Sequence, residues 1–572
     1  MAIKRYKVVA DFETTTDPDD CRVWASCVVD IDSLETLFIG NSIDSFFDWL
    51  KDKNTVCYFH NLKFDGEFII SYLLAHGYKQ NESKKDKTFF TLISDMGQWY
   101  SITVIFEKKN KTYKKVVFYD SLKKLPFKVA TISKAFDLED QKLEIDYNTY
   151  REPGHILTPE EEAYIINDCR IVAGALKIQL SQGLTKMTTA SDAMNGYKQI
   201  ISKENFERRF PVLPVELDLD LRQAYKGGFV WLKPDHANRR GLQGIRLDVN
   251  SLYPSVMYNC LLPWGYPMYF EGAPVLDDDF NLCIVRLECG FKLKPDHIPT
   301  IQLKHNLAFV PTEYVTSTHG EIIQMTLTNV DLDLFLDHYD THDLKFINGY
   351  KFRGVRGMFK DYIDHWGHVK ETSTGALRQL AKLMLNSLYG KFATNPKADS
   401  KWARLDEDGI VRYDIINQKF YNENIEYCLK NNIPEPELRD PVYTPMGAFI
   451  TAYARDKTIR SAQKVYDRFI YADTDSLHLI GFDEPEGLDI HPTKLGAWKN
   501  EGAFTDSMYI RAKTYMETVN GKNEVVCAGM PDNVKEQVTY DNFHSGSSFS
   551  GKLMPKRCKG GVVLVDTTFT IK

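Results

Sequence analysis

Asp11 and Glu13 stand two positions apart in KVVADFET, and that spacing is the first chemical signal in the chain. In an extended strand the two carboxylates share one face, while Val8, Ala10 and Phe12 share the other. Like charges ~4 Å apart repel by about 4 kcal/mol at an effective dielectric near 20. For an isolated DxE the plainer explanation is a solvated strand edge. Here more acids follow. In HNLKFD, Asn61 and Asp65 fall where an apolar strand turns into a helix. Tyr164 and Asp168 lie one turn apart on a later helix, beside an apolar stripe of Ile165, Cys169, Val172, Leu176 and Leu180. Four carboxylates and a phenol, with no Cys or His, form a hard oxygen set suited to Mg2+ or Mn2+ and not to zinc. Two such ions about 4 Å apart would activate a water and stabilise the leaving oxygen of a phosphodiester. Tyr164 could orient that water.

A second acid set is spread more widely. Asp248 opposes Ile245, Leu247 and Val249 on a strand that breaks at Pro254. Asp473 and Asp475 flank Thr474 between two apolar strands, where a hairpin turn alone would also favour Asp. The helix near 375–390 decides between these readings. Leu377, Leu380, Met384 and Leu388 are its expected buried stripe, and Arg378, Lys382, Asn386 and Tyr389 line the opposite side. A cation, an amide and a ring in one row suit a triphosphate, a sugar and a base. The helix before it should bury Phe359, Tyr362, Ile363, Trp366 and Val369 and end on Lys370, where a cation also complements the helix dipole. With no GxxxxGK[ST] loop, phosphate handling falls to such lysines and to metal.

These residues need elements to position them. Residues 1–180 alternate strand and helix signals, including a hairpin at 98–121 with a lysine-rich tip and a capping box, Thr158 to Glu161 with Pro159 in the first turn. The small polar stretch at 185–193 is the expected domain boundary. From about 195 the signals become mixed α+β, with a less regular region up to about 357 and a polar insertion between Pro396 and Asp440. At roughly one domain per ~150 residues, 572 residues suggest three or four domains.

The net charge of −7 counts mildly against a nucleic-acid partner, although a local basic lining suffices for phosphate contact. Ten cysteines without a CxxC pair give no support to a zinc ribbon or a thioredoxin-like motif and fit free thiols in a reducing cytoplasm. No run is long and apolar enough for a signal peptide or a membrane span, so a soluble intracellular protein is expected. The pairs His338/His342 and His365/His368 have no Cys or acids at zinc spacing beside them, which weighs against a metal pair.

The motifs DFET, NLKFDGEF and YIIND resemble the three exonuclease motifs of proofreading family B DNA polymerases. DVNSLYP, KLMLNSLYG and YADTDS resemble their polymerase motifs A, B and C. YKGGF at 225–229 resembles the YxGG motif linking the two domains, and KTY at 513–515 the KxY motif that steadies a primer end. The likeness is closest to the protein-primed polymerases of small tailed Bacillus phages, the phi-twenty-nine type, through DSLKKLPF, KLEIDY, DPVYTPMG and the ending GGVVLVDTTFTIK.

What that resemblance implies is specific. The fold would be an RNase H-like α/β exonuclease domain over 1–188, followed by an α+β right-hand polymerase. The latter would comprise palm (189–260 and 441–530), terminal-protein region 1 (261–357), fingers (358–394), terminal-protein region 2 (395–440) and thumb (531–572). Asp11, Glu13, Asp65 and Asp168 would hold the ions of a 3′→5′ exonuclease, assisted by Tyr164 and Lys142. Thr14, His60, Asn61, Phe64 and Tyr147 would hold the single-stranded end. In the polymerase, Asp248, Val249 and Asp475 would bind metal, with Asp473 essential but less surely a ligand. Tyr253 would exclude a ribose 2′-OH, Lys370 and Lys382 would hold the triphosphate, and Asn386, Tyr389 and Val249 would complete the nucleotide site. Tyr225, Gly227, Gly228, Lys513 and Tyr515 would contact DNA. The implied cofactor is Mg2+, replaceable by Mn2+, at two ions per site. The implied partners are DNA template and primer, dNTPs, a terminal protein and a single-stranded DNA-binding protein, met by a monomer in the bacterial host cytoplasm. The segment YNENIEYCLKNNIPEPELR is extra relative to the family pattern, and His365 stands where the family carries a lysine.

Other functions fit the residues less well. A nuclease with a degenerate polymerase half conflicts with the presence of Asp248, Lys382, Asn386, Tyr389, Asp473 and Asp475. A non-catalytic scaffold has no need of two acid sets. An RNA- or DNA-primed family B enzyme stays open on motifs A to C, and the short chain and group-specific segments weigh against it.

Overall fold

The N-terminal strand signals assemble into one eight-stranded sheet. In this computed structural model, which describes residues 5–109, 112–147, 149–302, 314–397 and 399–572, Arg5–Thr14 lies inside that sheet. It pairs antiparallel with Val23–Asp30 and parallel with Asn54–Phe59. The strand alternates as the sequence predicts, and both faces are covered. Val8, Ala10 and Phe12 join Phe46, Phe59 and Phe68 in one core, and Val9 joins Ile165, Cys169 and Val172 in another. The second core is supplied by helix Pro159–Ser181, whose first turn carries the full capping box, Thr158 and Glu161 each accepting from the other's backbone. The hairpin Trp99–Lys109/Thr112–Asp120 forms as expected, and the lysine-rich tip at 110–111 lies outside the described residues.

A second sheet of five antiparallel strands carries the other acids, in the order Trp498–Phe504, Gly244–Val249, Ser476–Ile480, Phe469–Asp473, Val230–Leu232. Helix Thr444–Lys464 packs behind it, with Met446, Phe449, Ile450, Ala454 and Ile459 buried. Sequence reading passed over this 21-residue helix, because its small and aromatic residues are buried nearly all round and leave no amphipathic period.

The structure refines several expectations. The region read as less regular before 357 is a four-stranded antiparallel sheet, ordered Leu262–Glu271, Tyr339–Val355, Leu282–Leu293, Ile323–Thr328. Its period-2 pattern is hidden by register shifts at Arg286/Leu287 and Glu288/Gly290. The stretch at 185–193, expected as a domain boundary, is ordered and anchored. Thr188 caps helix Thr189–Ile201, and Asp192 is buried in an ion pair with Lys124 at 2.5 Å. In helix Gly375–Phe392, Leu377 is 40% exposed, and Ala381 and Leu385 complete the buried stripe with Leu380, Met384 and Leu388. Its partner helix, Lys360–Thr372, buries Tyr362 and Ile363, and Trp366 and Val369 are only half-buried.

The polar insertion folds as a hairpin, Ser400–Leu405/Val411–Ile416, plus two short helices, Gln418–Glu423 and Ile425–Asn431. Trp402, Ile416, Cys428 and Ile433 form a small core of its own. Among the described residues no helix is long and apolar enough to cross a membrane.

Candidate active sites

Asp11 and Glu13 reach one side of the first strand, and helix Pro159–Ser181 lies across that side with Tyr164 and Asp168. Asp65 enters from the first turn of helix Leu62–Ala75. The three elements bring the four carboxylates into one electrostatic unit. Asp11 is pushed up to about 7 by burial and then by Asp168. Glu13 rises well above its ordinary value through burial, Asp11 and Asp168, and Asp65 does so through burial and Asp11. Burial likewise raises Asp168, against the pull of Lys142. Lys142 bonds Asp168 Oδ2 and donates to Tyr164 Oη at 2.6 Å, and Tyr147 Oη bonds Tyr164 Oη.

The residues expected to hold a strand end lie around this cluster. Thr14 and Tyr147 line a narrow cavity of about 210 Å³ with Trp24 and Arg151. Asn61 takes left-handed backbone, φ +71°, and its amide donates to buried Asp120 at 3.1 Å. It therefore shapes the strand-to-helix corner through its backbone and makes no side-chain cap. His60 spends both ring nitrogens internally, on Ser121 Oγ at 3.0 Å and the Phe127 carbonyl at 2.8 Å. Phe64 is half-buried with its ring 5.7 Å from that of Phe68.

In the second site, Asp248 sits on a central strand and Asp475 in the turn of the next hairpin, joined by the Val249 amide donating to the Asp475 carbonyl at 2.8 Å. Asp248 is pushed up to about 7 by burial first and Asp475 next; Asp475 is raised by burial and Asp473. Thr474 has φ +58°, and its turn is pinned because its amide donates to the Phe229 carbonyl at 2.6 Å and its carbonyl accepts from Thr458. Asp473 is engaged elsewhere, bonded to Lys513 Nζ at 2.7 and 2.9 Å.

The glycines of the 225–229 loop follow from the same geometry. A Cβ on Gly228 would meet the Thr474 side chain at 2.6 Å, whereas Gly227 faces open space. Arg455, paired with Asp331 at 2.8 Å, donates to the Lys226 and Gly227 carbonyls and fixes the loop. Burial and nearby Tyr389 raise the Tyr225 hydroxyl.

The helix pair walls the side where the sequence reading expects the nucleotide. A cavity of about 620 Å³ is lined by Lys370, Arg378, Lys382 and Lys499 among others. Lys370 Nζ donates to Ser251 Oγ at 3.3 Å. The Tyr253 and Tyr389 rings stack beside it, and Asn386 is exposed on the same helix. Sequence reading missed Lys499 and Glu501, which both act on Asp248. Their strand, WKNEGAF, carries no motif, and only the pairing of Lys499 with Asp248 in the sheet reveals the relation.

Among the described residues no three His, Cys, Asp or Glu side chains are already drawn into a closed metal cage. The donor sets nonetheless fit divalent ions. Asp168 Oδ1 and Asp248 Oδ1 are buried oxygens without a hydrogen-bond partner, one in each site. Carboxylates raised by burial and by mutual repulsion are stabilised by a cation, and hard oxygen donors select Mg2+ or Mn2+.

Comparison with known proteins gives the family. The family model for DNA polymerase type B, organellar and viral, matches residues 48–490. The chain is 46% identical to the DNA polymerases of Bacillus phages M2 and phi29, with 98% of this chain covered and 99% and 98% of theirs. It is 35% identical to that of Streptococcus phage Cp-1, over 98% of both chains. The structure of phi29 DNA polymerase complexed with primer-template DNA and incoming nucleotide substrates superposes with a TM-score of 0.93, at 46% identity and 100% coverage of both chains. The complex of that polymerase with single-stranded DNA gives 0.92. On this ground the chain belongs to the organellar and viral type B DNA polymerases, as a phi29-like, DNA-directed replicative enzyme.

Proposed function

We propose that this chain is a protein-primed DNA polymerase that proofreads with its own 3′→5′ exonuclease, each reaction served by a pair of divalent ions. The observation that carries the two-ion reading is the pair of orphaned carboxylate oxygens, Asp168 Oδ1 and Asp248 Oδ1, each buried within a set of acids that repel one another. Asp11, Glu13, Asp65 and Asp168 would hold ions in the exonuclease, and Asp248, Asp475 and the Val249 position in the polymerase. Bound there, Mg2+ or Mn2+ supplies an activated oxygen nucleophile and neutralises charge on the leaving oxygen.

The protein's own groups do the rest. Lys142 and Tyr147 orient the Tyr164 hydroxyl toward the scissile end, with Thr14, His60, Asn61 and Phe64 shaping the place of the single strand. Lys370, Lys382, Arg378 and Lys499 hold the triphosphate by charge. Tyr389 packs on the incoming base, with Asn386 on the same helix face. Lys513 and Tyr515 hold the primer end beside Asp473, and the 225–229 loop guides the strand between the two sites. Residues 1–188 are assigned to the exonuclease, 189–260 and 441–530 to the palm, 358–394 to the fingers and 531–572 to the thumb. Residues 261–357 and 395–440 are assigned to the regions that meet a terminal protein and enclose DNA. The relatives from Bacillus phages support a role in a bacterial host cell. A single-stranded DNA-binding protein would be a further partner.

The test offers the protein a candidate terminal protein, Mg2+ and one labelled dNTP, with no nucleic-acid primer. Label joined covalently to the terminal protein is the expected result. Label incorporated only from DNA or RNA primers would leave a conventionally primed enzyme.

A further inference from the structure

The hairpin Asp506–Arg511/Thr514–Val519 presents Lys513 and Tyr515 to the polymerase acids, and a buried polar cluster grips it from behind. Lys513 takes left-handed backbone, φ +57°, so its amide donates to Tyr471 Oη at 3.0 Å while its Nζ reaches Asp473. The ring of Tyr515 sits among three others, with centroids 5.1 Å from His478, 5.2 Å from Tyr471 and 5.4 Å from Tyr509.

Behind those rings lies Glu517, fully buried. Its Oε1 accepts from His478 Nδ1 at 2.6 Å and from the Tyr509 hydroxyl, and Arg246 Nη1 stands 3.5 Å from its Oε2. Arg246 and His478 are register partners on adjacent strands. The first lies two residues before Asp248, and the second follows Asp475 by three. One carboxylate thus ties the primer-facing hairpin to both acid-bearing strands. A buried charge is costly unless it is paired and hydrogen-bonded. It is retained here where it connects three separate elements and touches none of the reacting groups.

We propose that Glu517 is a positioning residue for DNA synthesis: through His478 and Tyr509 it fixes the Tyr515 ring and the Lys513 turn against Asp473, and so sets affinity for the primer terminus. The inference rests on the reading of Lys513 and Tyr515 as primer-holding residues. A merely structural carboxylate would lower every activity together, whereas a positioning one acts on a single substrate.

The experiment uses full-length Glu517→Gln, Glu517→Asp, Tyr509→Phe and Lys513→Ala proteins. KM is measured separately for a recessed primer-template and for dNTP, alongside degradation of single-stranded DNA. Loss of a charged hydrogen bond predicts a roughly tenfold rise in primer-template KM for Glu517→Gln, with dNTP KM and degradation held within about twofold. Tyr509→Phe, which removes one hydroxyl and keeps the ring, should raise the same KM about threefold, and Glu517→Asp should regain part of the loss. Should Glu517→Gln fail to fold, Tyr509→Phe decides alone. Primer-template KM unchanged in these variants while Lys513→Ala loses affinity would overturn the role of Glu517 only. Equal losses in all three measurements would overturn it too. Normal primer affinity in Lys513→Ala would remove the underlying reading of Lys513, and the proposal with it.

Discussion

The rings of Tyr253 and Tyr389 stack with centroids 4.0 Å apart and planes 18° from parallel. One stands five residues past Asp248, at the start of helix Leu252–Asn259, and the other near the end of helix Gly375–Phe392. On the proposed reading, this stacked pair is where the 2′-hydroxyl of an incoming ribonucleotide would have to fit. Replacing Tyr253 by Val keeps the site apolar and removes the ring. With the steric block gone, the ratio of kcat/KM for dNTP over rNTP should fall at least about tenfold, which corresponds to about 1.4 kcal/mol. An undiminished ratio would move sugar selection to another residue.

The two acid sets should be separable by substitution. Asp248→Asn or Asp475→Asn should cut nucleotide addition by about a thousandfold or more and leave degradation of single-stranded DNA near its normal rate. Asp11→Ala combined with Asp65→Ala should do the reverse. If either change abolished both activities in a folded protein, the sites would not be independent.

The raised carboxyls have a pH consequence. Asp11 and Asp248 are both pushed up to about 7 from 3.8, each by burial first. A folded-state pKa above the unfolded one means that the native protein binds the extra proton. The resulting stability is present below about 4 and is lost as pH rises through about 7. In a chelator, wild-type Tm should therefore fall relative to Asp248→Asn between pH 5 and pH 8, and Mg2+ should restore wild type more strongly at pH 8. Calorimetry at the two pH values checks this, and a Tm difference independent of pH would count against it.

How far the site could be read from sequence depended on how local each part is. Asp11 with Glu13, and Tyr164 with Asp168, are visible because a strand or a helix turn alone sets their spacing. Asp248 and Asp475 lie more than two hundred residues apart, and only their motifs announced them. Lys499 and Glu501 went unseen because sheet pairing, not spacing, brings them to Asp248. The sheet before 357 was missed for a related reason: its bulges break the alternation that would have marked its strands. Leu377 was placed on the buried face by its period, but it lies in the first turn of its helix, ahead of the stretch that packs into the core.

Glu67, two residues past Asp65 and buried, is the meeting point of three distant segments. Its Oε1 lies 2.9 Å from Arg557 Nη2 on the C-terminal hairpin, and its Oε2 accepts from Tyr413 Oη of the 395–440 insertion at 2.9 Å. Arg557 also lies over the Tyr413 ring at 4.7 Å, and Ile410 forms a β-bridge with Lys559 nearby. If the insertion and the C-terminal hairpin enclose DNA, this junction holds them together on the exonuclease face. Deleting 415–435 would remove Ile416, Cys428 and Ile433 and so destroy the insertion's own core. Arg557→Ala and Tyr413→Phe are cleaner, because each removes one arm of the junction and leaves both acid sets untouched. The double variant should give shorter products per binding event, by about threefold or more at 0.15 M salt, with single-nucleotide insertion unchanged. Arg557 is partly exposed, so raising the salt should shorten wild-type products toward those of the variant. Product lengths equal to wild type at every salt concentration would show that the ends can part without releasing DNA.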